Sequence, residues 1–130
     1  MHLPKPFCTD KLPRPRGPYS QAVQAGGFLF VSGLAALDPQ TGLPCTGPVE
    51  EQVRVTLDNL QTLLHEAGAS LRQVVKTTVY LADMDHFPMM NEIYATYFPE
   101  HPPARTTIEA ARLPMDFLVE IDAVAWLGEE

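Results

Sequence analysis

Apolar side chains follow two rhythms along this chain, and the switches between them mark its elements. From Val49 onward, Val53, Leu57, Leu60, Leu64 and Ala67 recur at intervals of four, three, four and three. That spacing gathers them on one stripe of a helix. Glu50 and Glu51 in the first turn suit the helix dipole, and Gly68 supplies the stop. A second helix is predicted after Asp83 or Asp85, with Phe87, Met90, Ile93, Tyr94, Tyr97 and Phe98 on its apolar side and Pro99 ending it. That Met and aromatic stripe reads as core.

Elsewhere the rhythm is two. Residues 20–25 alternate weakly, Gly26-Gly27 makes a hairpin turn, and Phe28–Val31 reads as a buried strand ending at Ser32-Gly33. Residues 74–81, VVKTTVYL, are dense in β-branched side chains and form a strand. Two more strands lie between Pro103 and Trp126, joined by the connection Leu113–Phe117 and read as a hairpin. The first carries Arg105, Thr107, Glu109 and Ala111 on one face. The second carries Leu118, Glu120, Asp122 and Val124 on one face, and Val119, Ile121, Ala123 and Ala125 on the other. Glu120 thus sits in a mostly apolar strand, where a carboxylate must be exposed, paired or working. Arg105 is its nearest expected partner. The two form either a structural ion pair or the floor of a site for a small acid.

The order β-β-loop-α-β-α-β-β describes an α+β fold with one mixed sheet and two helices on one face. Two helices cannot cover the other face, which carries residues of Phe28–Val31 and of the last strand. Self-association is therefore expected. Residues 1–16 hold four of the 13 prolines and no hydrophobic period, so they read as an extended arm ahead of a single domain at 17–130.

Composition narrows the chemistry. Apolar residues at 45% exclude a disordered chain, and no run approaches the ~20 residues of a membrane span. The first ten residues lack the apolar segment of a secretory signal, so the expected compartment is the cytoplasm. A net charge of −7 opposes nonspecific nucleic-acid binding. Lys5, Lys11, Arg14 and Arg16 are the local exception, broken by prolines and read as a solvated arm. Cys8, Cys45 and the four histidines show no metal-ligand spacing, so no metal is expected.

Several blocks together resemble one family. They are GPYSQA at 17–22, the Val31-Ser32-Gly33 stretch, VVKTTVYLAD at 74–83, NEIY at 91–94, PAR at 103–105, ARLP at 111–114 and VEIDAVA at 119–125. In this order they resemble the RidA (YjgF) reactive-intermediate deaminases, whose members have also been described as translation inhibitors or endoribonucleases. The resemblance implies a chorismate-mutase-like fold, a homotrimer with sites in clefts between subunits, and no cofactor. It also implies hydrolysis of 2-imino acids, derived from 2-aminoacrylate or 2-aminocrotonate, to 2-keto acids and ammonia.

Within that reading Arg105 offers a planar fork of donors to the substrate carboxylate, which a lysine could not match. Glu120 orients or deprotonates the attacking water, and Tyr19 supplies a hydroxyl and an aromatic wall. By resemblance Ser32, Asn91 and Thr107 line the same cleft. Arg112 and Glu109 read as surface or interface charges. Two positions depart from the family. Thr107 stands where a cysteine is frequent, and Leu34 follows Ser-Gly where a glutamine is common. The same residues would also serve a trimer that only binds small carboxylates or keto acids. A ribonuclease or translation inhibitor is the other alternative, against which the charge and the lack of a His/Lys cluster weigh.

Overall fold

The strand that alternates most strictly becomes the centre of the sheet. In the computed structural model, which describes residues 2–128, that strand is β6 (Val119–Trp126). Its neighbours are β3 (Phe28–Leu34) and β4 (Val74–Leu81), both antiparallel to it. Beyond β3 lie β2 (Ala22–Ala25) and β1 (Lys5–Phe7), and beyond β4 lies β5 (Ala104–Glu109), giving the order β1-β2-β3-β6-β4-β5. β5 runs parallel to β4, so the sheet is mixed.

Helices α1 (Val49–Glu66) and α2 (Phe87–Tyr97) contact each other, and α1 lies against β3 and β6. Leu29, Val31, Val79, Leu81, Val119, Ile121, Ala123 and Ala125 are buried in one core with Val53, Leu57, Leu60, Leu64, Met90 and Ile93 of the helices. The expected α+β class, with its one mixed sheet and two helices, is borne out. The buried side of α1 is wider than its apolar stripe. Gln52 donates to the Gly47 carbonyl and accepts from the Leu118 N–H, while Asn59 donates to the Leu37 carbonyl at 2.9 Å. These amides are buried and satisfied, as burial requires. They fix the loop after β3 and the start of β6, both of which border the site.

Three sequence expectations change. The last two strands are not a hairpin, because β4 lies between them: Thr77 is paired with both Arg105 and Ala123, and Tyr80 with both Ile108 and Glu120. Arg105 shares the Thr77 side of the sheet and Glu120 the opposite side, so they form no ion pair. The reason is burial. β6 brings four apolar side chains to the helix side and belongs at the centre, whereas β5 is largely exposed and suits an edge. Second, Phe28–Val31 is not buried throughout. Leu29 and Val31 are, but Phe28 and Phe30 are 40% and 48% exposed on the uncovered face, beside Trp126 at 47%. Third, residues 5–12 of the expected arm are seated on the fold. Lys5–Phe7 pairs with β2, Leu12 enters the core, and Gln21 exchanges hydrogen bonds with the Thr9 backbone.

Leu60 is fully buried between helix and sheet. Leu60→Ala is expected to lower the unfolding free energy by about 2–5 kcal/mol, read as a lower midpoint in urea with an unchanged slope.

Candidate functional site

The six residues expected at the site fall into two groups on opposite sides of the sheet. Tyr19, Ser32 and Glu120 line one cleft of about 210 Å³, closed by the 12–16 stretch, the end of β3 and the turn at Pro114–Phe117. Asn91 and Arg105 line a shallower hollow with Tyr94, Phe98 and Pro103. Thr107 follows Arg105 on the same side of β5, two residues on. One copy of the chain does not bring all six together.

Glu120 owes its setting to its strand. It alternates outward from β6 beside Asp122, and at Gly33 the chain passes so close that a Cβ there would run into the Glu120 carboxylate. A larger residue there would push the Glu120 carboxylate aside. Burial pushes the Glu120 carboxyl above the usual carboxylate range, and the Asp122 charge pushes the same way. No hydrogen bond or ion pair with another described residue engages it. Asp122 is held by Tyr80, whose hydroxyl donates to it at 2.8 Å; that bond in turn raises the Tyr80 phenol.

Ser32 is partly committed to the backbone. Its hydroxyl donates to the Ser20 carbonyl at 2.6 Å and its N–H to the Gln21 carbonyl at 3.0 Å. The oxygen lone pairs are left to accept. Tyr19 is 55% exposed at the cleft mouth, its N–H turned back on the Gly17 carbonyl in a tight turn.

Arg105 is seated on aromatic rings rather than on a carboxylate. Its guanidinium carbon lies 4.8 Å from the Tyr94 ring centre and 5.4 Å from that of Phe87. Cation–π contacts of this kind hold a charge without consuming its hydrogen-bond donors. Among the described residues the single ion pair is Lys11–Glu66, remote from this hollow, so no protein carboxylate neutralises Arg105. Tyr94 is fixed by a 2.7 Å hydrogen bond to Thr77, and burial raises its phenol. Thr107 Oγ1 is buried with no partner, as is His86 Nδ1 at the start of α2. Each must find one in the working protein.

Sequence reasoning missed the aromatic seat. Phe87 and Tyr94 share one helix face with Asn91, at i, i+7 and i+4, but the apolar stripe absorbed the two rings as core. It also missed Asp122 and the apolar wall contributed by Leu12, Met115 and Phe117. Among the described residues no three His, Cys, Asp or Glu side chains cluster to hold a metal, and no helix is long and apolar enough to cross a membrane.

Comparison with known proteins shows the family of the chain. The family described as Endoribonuclease L-PSP matches residues 9–127. The mouse protein named 2-iminobutanoate/2-iminopropanoate deaminase is 46% identical over 124 residues, covering 95% of this chain and 92% of its own. A RutC family protein of Pyrococcus horikoshii is 50% identical, covering 91% and 94%. Among solved structures, the yjgF gene product of E. coli superposes with a TM-score of 0.88 at 38% identity, covering 94% of this chain and 98% of that one. With a match that spans almost its whole length, and with neighbours of its own fold, the chain belongs to the RidA (YjgF) family, the one described as Endoribonuclease L-PSP.

Proposed function

We propose that this protein hydrolyses 2-imino acids, the tautomers of 2-aminoacrylate and 2-aminocrotonate, to 2-keto acids and ammonia. The site is assembled from two copies in a homotrimer. One copy supplies Arg105, Asn91 and Thr107; its neighbour supplies Tyr19, Ser32 and Glu120. The observation that carries this reading is a guanidinium stacked on two rings beside an open hollow, with no carboxylate among the described residues paired to it. A planar carboxylate from outside completes that pair. The exposed Phe28, Phe30 and Trp126 give the uncovered face its reason to meet other copies. The mouse relative's name supports the same substrate class.

The chemistry then needs little. Arg105 takes the substrate carboxylate and fixes the imine carbon. Glu120, carrying its negative charge, accepts a proton from a water that attacks that carbon, forming a C–O bond. The proton passes to nitrogen, giving a carbinolamine; its new hydroxyl then yields its proton through Glu120 to the amino nitrogen, the C–N bond breaks, and ammonia leaves as the carbonyl forms. A carboxyl shifted upward is a stronger base in its ionised form. The unpartnered Thr107 hydroxyl and the Tyr19 phenol can bond the water or the leaving nitrogen. Holding acid, water and base together removes the entropy of an encounter, enough for a bond already labile in water. The ribonuclease activity in the family's description fits less well, since a chain of net charge −7 repels a polyanion.

Coupled to a threonine dehydratase, the protein is expected to accelerate loss of the imine over buffer; no acceleration overturns the reading. Arg105→Ala should lower kcat/KM by roughly ten- to a hundredfold, the loss of a charged hydrogen-bonded pair, and Arg105→Lys should recover only part of it. Titration with 2-oxobutanoate separates turnover from mere binding.

Sedimentation is expected to give a trimer, and mixing two inactive variants tests the shared site. Arg105→Ala and Glu120→Gln copies, unfolded and refolded together, should regain activity in about a quarter of the sites by random assembly. Recovery absent from a properly mixed trimer means that one copy holds the whole site.

The pH profile follows from Glu120. Its pKa is raised, so its base form is lost as pH falls at a higher pH than for an ordinary carboxylate. The acid limb of kcat/KM therefore lies above the usual carboxylate range. Asp122→Asn removes the adjacent charge and is expected to move that limb to lower pH.

A further inference from the structure

Resting on the deaminase reading, we infer that the cleft beside Glu120 holds the substrate's side chain, and that this chain selects 2-imino acids with branched or aromatic side chains over three- and four-carbon ones. The polar groups Tyr19, Ser32 and Glu120 share that cleft with a wall of Leu12, Pro13, Leu34, Leu37, Met115 and Phe117. Its volume of about 210 Å³ is many times the ~10–15 Å³ that a single water needs. A three-carbon imine carries one methyl beyond its reacting carbon and leaves most of that wall in water. Each further methylene buried there is worth about fourfold in kcat/KM.

Two of the wall residues are held by local irregularities. Between Val31 and Leu34 the register of β3 against β6 shifts, so that Leu34 rather than Gly33 lies opposite Ile121. Such a bulge re-aims side chains next to a site. Met115 and Asp116 have φ of 56° and 57°, two successive non-glycine residues in the left-handed region. That conformation is unfavourable for Met115, less so for Asp116, and persists where surrounding contacts support it. Here the Met115 sulfur lies 3.6 Å from an Arg16 nitrogen, and Arg16 also donates to the Gly42 carbonyl. The arm, the 38–42 turn and the 114–117 turn thus close one apolar wall around the cleft. None of these contacts serves a substrate that ends at a methyl group.

The test uses an amino-acid oxidase to generate imines from L-2-aminobutyrate, L-leucine and L-phenylalanine, with semicarbazide trapping the imine that the protein fails to hydrolyse. The expected result is a kcat/KM at least tenfold higher for the leucine-derived than for the 2-aminobutyrate-derived imine. In Leu34→Gln and in Met115→Ala that ratio should fall at least fivefold, chiefly through KM for the larger substrate, with the melting temperature of each variant recorded. Turnover of the four-carbon imine without preference for the larger ones overturns this inference and leaves the deaminase reading standing. Turnover of none removes both. A high ratio unmoved in both folded variants overturns the assignment of the wall.

Discussion

A positive charge with no counterion among the described residues is the constraint around which this site is arranged. Arg105 is half-buried on the rings of Phe87 and Tyr94, contacts worth roughly 0.5–2 kcal/mol, and these leave its donors free. A carboxylate from the protein would have satisfied it and closed the hollow. Instead the neighbouring strand positions bring Thr77 and Thr107, neutral hydroxyls, and the carboxylates of the last strand project from the opposite side of the sheet. Separating the two signs by the thickness of a sheet keeps them from pairing with each other.

The same separation explains why one strand carries two unlike duties. β6 supplies Val119, Ile121, Ala123 and Ala125 to the core on one face, and Glu120 and Asp122 on the other. Period-two alternation permits this, and pairing on both sides places the strand where both faces count. Burial then raises the Glu120 carboxyl, and Gly33 gives it room. The amides of α1 hold the loop next to it. A shift of α1 along its axis would therefore be felt at the cleft through Asn59 and Leu37, although neither reacts with anything.

Much of the fold was legible because local patterns settle it. The α1 stripe, the β-branched run of β4, the Gly26-Gly27 turn and the alternation of β6 each depend on residues close in sequence. Strand neighbours do not. Alternation in 105–111 and 118–125 says which side chains share a face, but it is equally compatible with a hairpin and with a strand inserted between. What decides is the relative burial of the two strands, a property of the whole sheet. The site divided along the same line. Residue types in family blocks pointed to Arg105, Glu120, Tyr19, Ser32, Asn91 and Thr107, whereas the aromatic seat and the apolar wall arise from side chains that any core would use. Leu12 and Met115 lie a hundred residues apart in sequence, and only the folded chain makes them one surface.

The short first strand has a bearing on how copies can be added to one another. β1 ends the sheet with three residues, one of them Pro6, which has no N–H to offer, and one of them the charged Lys5. An edge so brief and so poor in donors is a bad template for a further strand. Growth of the sheet into a ribbon is stopped on that side. The exposed rings of Phe28, Phe30 and Trp126 lie away from that edge, so an association through them would not have to extend the sheet.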